Sequence, residues 1–135
     1  MIKVVLDTNI LISNLFWKGH SRRIVDLAVS NKIKSITSLE ILEEVEAVLY
    51  EDFSGVSYSR IEEIIKDILS YSSVISAGDI TVRGLRDIKD TKIIACAISA
   101  KADYIITGDK DLLILKEYKG IKIISPRVFL DSFRP

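Results

Sequence analysis

Two short apolar runs in this chain end in acids. Ile2–Leu6 is followed by Asp7, Thr8 and Asn9, and Tyr104–Thr107 by Gly108 and Asp109. Both read as interior strands of a parallel sheet that carry polar groups to its C-terminal edge. That edge is where open α/β sheets bind ligands, so Asp7 and Asp109 are expected to meet. Two further acids stand where helices could bring them to the same place. Ser38 reads as the cap of a helix to about Tyr50, with Ile41, Leu42, Val45, Val48 and Leu49 as its apolar stripe. At about 100° per residue Glu43 points away from that stripe, whereas Glu44, like Glu40 one turn earlier, lies on the border between core and solvent. A border carboxylate can lean into a crevice, which makes Glu44 the candidate among the helix's glutamates. Asp87 and Asp90 stand three apart before a helix running from Thr91 to about Ala100. One cap is enough for a helix, so one of the two is free to hold a cation.

Carboxylates packed together repel one another, and their pKa values rise unless a cation compensates. No His or Cys cluster accompanies the four acids, so the donors are hard oxygens, which select Mg²⁺ or Mn²⁺ over zinc. Thr8, Asn9, Ser13 and Thr107 are placed to orient the acids or their waters. Such a centre suits phosphodiester hydrolysis. The chain carries no Gly-x-Ser-x-Gly elbow, no Gly-rich phosphate loop and no dinucleotide fingerprint. His20, the only histidine, sits in a polar loop without a metal-ligand pattern and reads as a surface residue. Cys96, the only cysteine, lies in the apolar helical run Ile93–Ile98 and reads as a small core residue.

The elements that must position these residues alternate. Strands are expected at Ile2–Leu6, Ile33–Thr37, Tyr104–Thr107 and Ile121–Ile124, with shorter extended pieces at Val74–Ile75 and Thr81–Val82. Ser21 reads as the cap of a helix over Arg22–Ser30, and Ser59-Arg-Ile-Glu62 as a capping box. That box opens a helix with Ile61, Ile64, Ile65, Ile68 and Leu69 on one face. Ser125-Pro126 opens a final helix. Alternating strands and helices imply a parallel sheet with right-handed crossovers between helix layers, a three-layer α/β/α sandwich. With 135 residues, 48% hydrophobic and 28% charged, the chain reads as one domain over residues 1–135. No apolar run approaches the ~20 residues of a membrane span. The opening run is too short for a signal peptide, and a lone cysteine fits a reducing compartment; a cytoplasmic protein is expected. The net charge of zero argues against a generally sticky nucleic-acid binder. Lys18, Arg22, Arg23, Lys32 and Lys34 nonetheless form a local basic stretch that could track a phosphate backbone. Trp17, beside it, is a candidate partner-facing anchor.

Four stretches together resemble the PIN-domain nucleases: Asp7-Thr-Asn9 after the first strand, Ser38 followed by Glu44, Arg86-Asp-x-x-Asp90 before Ile93-x-Ala95, and Ala102-Asp-Tyr-Ile-Ile-Thr-Gly-Asp-x-Asp-Leu-Leu113. Within that family the chain is most similar to the VapC-like toxins of toxin–antitoxin systems. The likeness runs from Ile2 to Phe133. It implies a Mg²⁺- or Mn²⁺-dependent endoribonuclease whose metal-binding acids are Asp7, Glu44, Asp90 and Asp109. Asn9 and Thr107 match supporting polar positions, and Asp111 matches a frequent extra acid. It also implies an RNA substrate, dimerisation and neutralisation by a small antitoxin protein. Ile88 stands where that branch usually has Pro after Arg-Asp. Two rival readings remain: a PIN-like RNA- or protein-binding module without catalysis, and a haloacid-dehalogenase-like phosphatase. The phosphatase needs a second acid two residues after the first, where this chain has Asn9.

Overall fold

In a computed structural model of the chain, all residues are described except 17, 18, 54, 79, 81, 83, 84, 86 and 135, and the side chains of 14–16. The proposed anchor Trp17, the Thr81 end of one extended piece and Arg86 of the acidic motif therefore lie outside the described residues. Among the described residues six strands form, all but the two-residue β5 containing β-branched residues: β1 (Lys3–Leu6), β2 (Lys34–Ser38), β3 (Ser72–Ile75), β4 (Tyr104–Ile106), β5 (Glu117–Tyr118) and β6 (Ile121–Ile124). They make one sheet in the order β3-β2-β1-β4-β6-β5. All neighbours run parallel except the last pair, with Val4 opposite Tyr104 and Leu6 opposite Ile106 across the centre. The chain adds β2 and β3 on one side of β1, then crosses back to lay β4 on the other. This reversal opens a crevice beyond the C-terminal ends of β1 and β4. Asp7 and Asp109 therefore follow neighbouring strands at the same edge of the sheet.

Val4, Val5, Ile105 and Ile106 are fully buried, as befits strands covered on both faces. The covering elements are α1 (Thr8–Phe16), α2 (His20–Val29), α3 (Leu39–Asp52), α4 (Tyr58–Tyr71), α5 (Ile88–Ala100), α6 (Lys110–Leu113) and α7 (Pro126–Ser132). The expected mixed α/β architecture is thus present. Helix α5 packs against β1, β2, β3 and β4. It presents Ile93, Ile94, Cys96 and Ala97, and its small residues let it approach the sheet closely. Cys96 is buried in this layer, and burial pushes its thiol up to about 12, which agrees with a core residue rather than a nucleophile. On α4, Ile61, Ile64 and Ile68 are buried, each stabilising the fold by about 1.5–3 kcal/mol.

Caps decide where several helices begin. The Ser38 hydroxyl accepts from the Ile41 N–H and the Ser125 hydroxyl from the Val128 N–H, as their positions suggest. Two expected caps are displaced. Helix α4 starts two residues earlier, on Ser57, whose hydroxyl accepts from Arg60 N–H, and Ser59 hydrogen-bonds to Ser57 instead. Helix α2 starts after Gly19 without a side-chain cap; Ser21 lies inside the helix, and its hydroxyl accepts from that of Ser13 at 3.0 Å. Strand β5 was not anticipated. It forms a hairpin with β6 through Lys119 and Gly120, whose φ values of 50° and 83° supply the paired positive angles of a tight hairpin turn. Val82 is buried but belongs to no strand.

Candidate metal centre

The site is built first by its two strand ends. Asp7 follows β1 directly, and α1 begins at the next residue, so its carboxylate doubles as a cap. One oxygen accepts the Ile10 N–H at 2.9 Å, and the other accepts the Thr107 hydroxyl. Thr107, fully buried after β4, accepts in turn the Asp109 N–H at 2.9 Å. This relay stitches the two strand ends together. Burial raises the Asp7 carboxyl above its ordinary value. The Thr107 and Ile10 hydrogen bonds pull against that rise, and the nearby Asp109 charge adds to it. Asp109 itself caps the short α6 by accepting the Asp111 N–H at 2.8 Å.

Helices supply the rest. At the start of α5 the two aspartates divide as one cap requires: exposed Asp87 accepts the Lys89 N–H at 2.9 Å, while Asp90 turns inward and is 6% exposed. Burial pushes the Asp90 carboxyl up to about 6, with the charges of Asp109, Asp87, Asp111 and Asp7 contributing in that order. Carboxylate oxygens of Asp90, Asp109 and Asp111 all lie within 4.8 Å of one another. Asp7, Glu44, Asp90 and Asp109 line one crevice of about 230 Å³, together with Thr8 and Asn9. On α3, Glu43 points to solvent, Glu40 is spent on the Ala77 N–H at 2.9 Å, and Glu44 reaches the crevice wall. There Glu44 meets the Lys89 ammonium at 3.0 Å.

The four predicted acids therefore share one crevice, but not equally. Asp111, expected only as an accessory, belongs to the tightest carboxylate group, and Glu44 stands apart on its ion pair. Ser13 is not brought to the acids; its hydroxyl bonds Ser21 and the Ile10 carbonyl, and it lines an adjoining cavity with His20 and Arg127. Three lining residues escaped the sequence reading: Asp52, Asp87 as a wall residue, and Lys89. Asp52 had a signal, since Glu44, Val48 and Asp52 are spaced i, i+4, i+8 and share one helix face. Lys89 had one too, as a cation in the first turn of a helix, where the macrodipole disfavours it.

The donors that converge here are hard oxygens, with no His or Cys among the described residues lining the crevice. Three carboxylates held this close, one with its proton affinity raised well above normal, form an arrangement that a divalent cation would relieve. The residues present fit Mg²⁺ or Mn²⁺.

Comparison with known proteins agrees with this geometry. A family model described as PIN domain matches residues 3–111. The fold is similar to a chain of VapBC2 from Rickettsia felis, solved bound to a DNA fragment from its promoter. The TM-score is 0.65 at 14% identity, covering 92% of this chain and 98% of that one. It is also similar to PAE2754 from Pyrobaculum aerophilum, with a TM-score of 0.62 at 16% identity, covering 96% and 88% of the two chains. At these identities the likeness is one of fold. No curated protein sequence matches the chain.

Proposed function

This chain belongs to the PIN-domain family, and from that premise we propose that it is a divalent-metal-dependent endoribonuclease. It hydrolyses RNA phosphodiester bonds and acts as the toxin of a toxin–antitoxin pair. The observation that carries the reading is the carboxylate crevice at the reversal point of the sheet, built on Asp7, Asp90 and Asp109 with Asp111 beside them. Asp90, Asp109 and Asp111 would hold a Mg²⁺ or Mn²⁺ ion, with Asp7 completing the set. When bound, such an ion supplies Lewis acidity toward the phosphate and a source of hydroxide near neutral pH.

The chain's own residues do the positioning. Ile10 N–H and Thr107 hydroxyl fix both oxygens of Asp7, so that it presents one orientation to the crevice. Thr107 also anchors the backbone of Asp109, so that one hydroxyl sets the spacing of two acids. Asn9 borders both the crevice and the adjoining cavity of about 410 Å³, whose lining among the described residues includes His20 and Arg127 and no carboxylate. A polyanionic strand crossing the acid crevice would leave it most favourably on that side.

The VapBC architecture of a structural neighbour supports a small antitoxin protein as partner, and the same reading carries a homodimer and a cytoplasmic location. Among the described residues no helix is long and apolar enough to cross a membrane. The test is cleavage of a mixed-sequence single-stranded RNA in Mn²⁺, beside an EDTA control and the Asp7→Asn protein. Cleavage that requires both the metal and Asp7 is the expected result. A folded protein that cuts no RNA, or cuts equally well without Asp7, would contradict the proposal.

A further inference from the structure

Among the described residues, Lys89 is the one cation lining the acid crevice, against the carboxylates of Asp7, Glu44, Asp52, Asp87, Asp90 and Asp109. Helix stability does not explain it, because the first turn of α5 is the positive end of that helix and disfavours a lysine. What compensates is Glu44, whose Oε1 lies 3.0 Å from Lys89 Nζ. The other ion pairs among the described residues, Arg22–Asp26, Arg60–Glu63 and Arg127–Asp131, join residues three or four apart, with every side chain more than half exposed. Such pairs contribute little. The Lys89–Glu44 pair differs on both counts. It links α5 to α3 across the crevice, and its acid is only 13% exposed while its base is 58% exposed. A mostly buried carboxylate needs a countercharge, and the flexible lysine stem delivers one from the solvent side. Meanwhile the carboxylate oxygens that crowd within 4.8 Å belong to Asp90, Asp109 and Asp111, a group that does not include Glu44.

We propose that Lys89 is a positioning residue that acts as a tethered cation on Glu44, taking the place of a second divalent ion, so that the chain binds one metal ion on the Asp90–Asp109–Asp111 side. This rests on the metal reading above. A carboxylate committed to an ammonium is a poor ligand until that pair is broken, and a second ion would have to displace Lys89 and then share a small crevice with it. Lys89 also neutralises the Glu44 end without Lewis acidity. The Glu44 side of the crevice is then a charge-balanced support, and the chemistry is confined to the side that carries Asp90, Asp109 and Asp111.

The test is the number of ions bound. Mn²⁺ is titrated calorimetrically into the full chain and followed by electron paramagnetic resonance, for the wild type, Lys89→Met, and Lys89→Met combined with Glu44→Gln. The expected result is one ion per chain for the wild type. Lys89→Met should bind two, with the broadened spectrum of neighbouring spin-coupled ions, and the double variant should return to one. Two ions in the wild type, or one in Lys89→Met with unchanged affinity, would overturn the inference while leaving the metal reading intact. No Mn²⁺ binding by any of the proteins would overturn the metal reading and the inference with it. Lys89→Gln carries the same comparison should the methionine variant fail to fold.

Discussion

The two walls of the crevice are made by different means. The strand-built wall holds Asp7, Thr107 and Asp109 in a hydrogen-bonded relay in which both carboxylate oxygens of Asp7 are engaged, one by the Ile10 N–H and one by the Thr107 hydroxyl. The helix-built wall holds Glu44 and Asp90 by angular position on α3 and α5, and the Lys89–Glu44 ion pair ties those two helices together. Rigidity on one side and adjustable charge on the other is a sensible division for a site that must present fixed ligands yet admit a bulky anionic strand. It also teaches where a mutation should be felt as lost chemistry and where as altered charge balance.

The largest effects should come from the buried acid on each wall, Asp7 on one and Asp90 on the other. Asp7→Asn and Asp90→Asn are each expected to reduce metal-dependent RNA cleavage by about 10²–10³-fold or more, the scale seen when one charge-stabilising group is removed from a site. Thermal unfolding should nonetheless show Asp90→Asn folded and, without metal, at least as stable as the wild type near neutral pH, since the substitution removes crowded like charge. Severe unfolding of that variant would mean that Asp90 serves the helix and not the site.

The pH dependence separates charge crowding from simple burial. The Asp90 carboxyl sits at about 6 in the folded chain, well above its ordinary value of 3.8. The folded state therefore holds a proton that the unfolded state has already lost. Metal-free stability should fall as pH rises from about 4 to about 6, by up to roughly 3 kcal/mol. Asp90→Asn should flatten that slope. Added Mn²⁺ should reverse it, because the metal binds the deprotonated acid, and its stabilisation should grow as pH rises through about 6. Melting temperatures across this range, with and without metal, check all three.

Thr107→Val probes the relay alone. Removing the hydroxyl leaves an Asp7 oxygen and the Asp109 N–H without their partner, at a cost of about 1–3 kcal/mol in stability. Cleavage should drop by about tenfold, which is less than for either acid. The smallest contrast lies on α3. Glu43→Gln should leave cleavage within about twofold of wild type, while Glu44→Gln should lower it severalfold by unbalancing the Lys89 side. Equal effects at the two positions would defeat the angular assignment of that helix.

How far the sequence foretold this arrangement follows from the kind of physics involved. Strand ends were readable because an apolar run stopping at Asp7 or at Thr107-Gly-Asp109 has few other meanings. The Glu43–Glu44 distinction followed from helical geometry, which depends on spacing alone. Asp87 and Asp90 were separable only as a pair, since one cap suffices and the sequence does not say which acid provides it. Where two serines compete for one role, local pattern fails: Ser57 and Ser59 are equally good caps, and only the packing of α4 selects the frame. Ser13 and Ser21 likewise bind each other across two helices, a contact no spacing rule contains. The β5–β6 hairpin was hidden because a lysine occupies a positive-φ turn position where Asn or Asp would have announced it. Lys89 went unread because charge on a helix surface usually signifies solvation, and its partner Glu44 lies on another helix altogether.

The measurement that tests the central claim most directly is a crystal of the chain grown with Mn²⁺, with anomalous scattering recorded to locate the ion. The account predicts Mn²⁺ among the carboxylates of Asp90, Asp109 and Asp111 on the Asp7 side of the crevice, with Lys89 still on Glu44. Mn²⁺ bound elsewhere, or an acid crevice that stays empty at saturating metal, would contradict it.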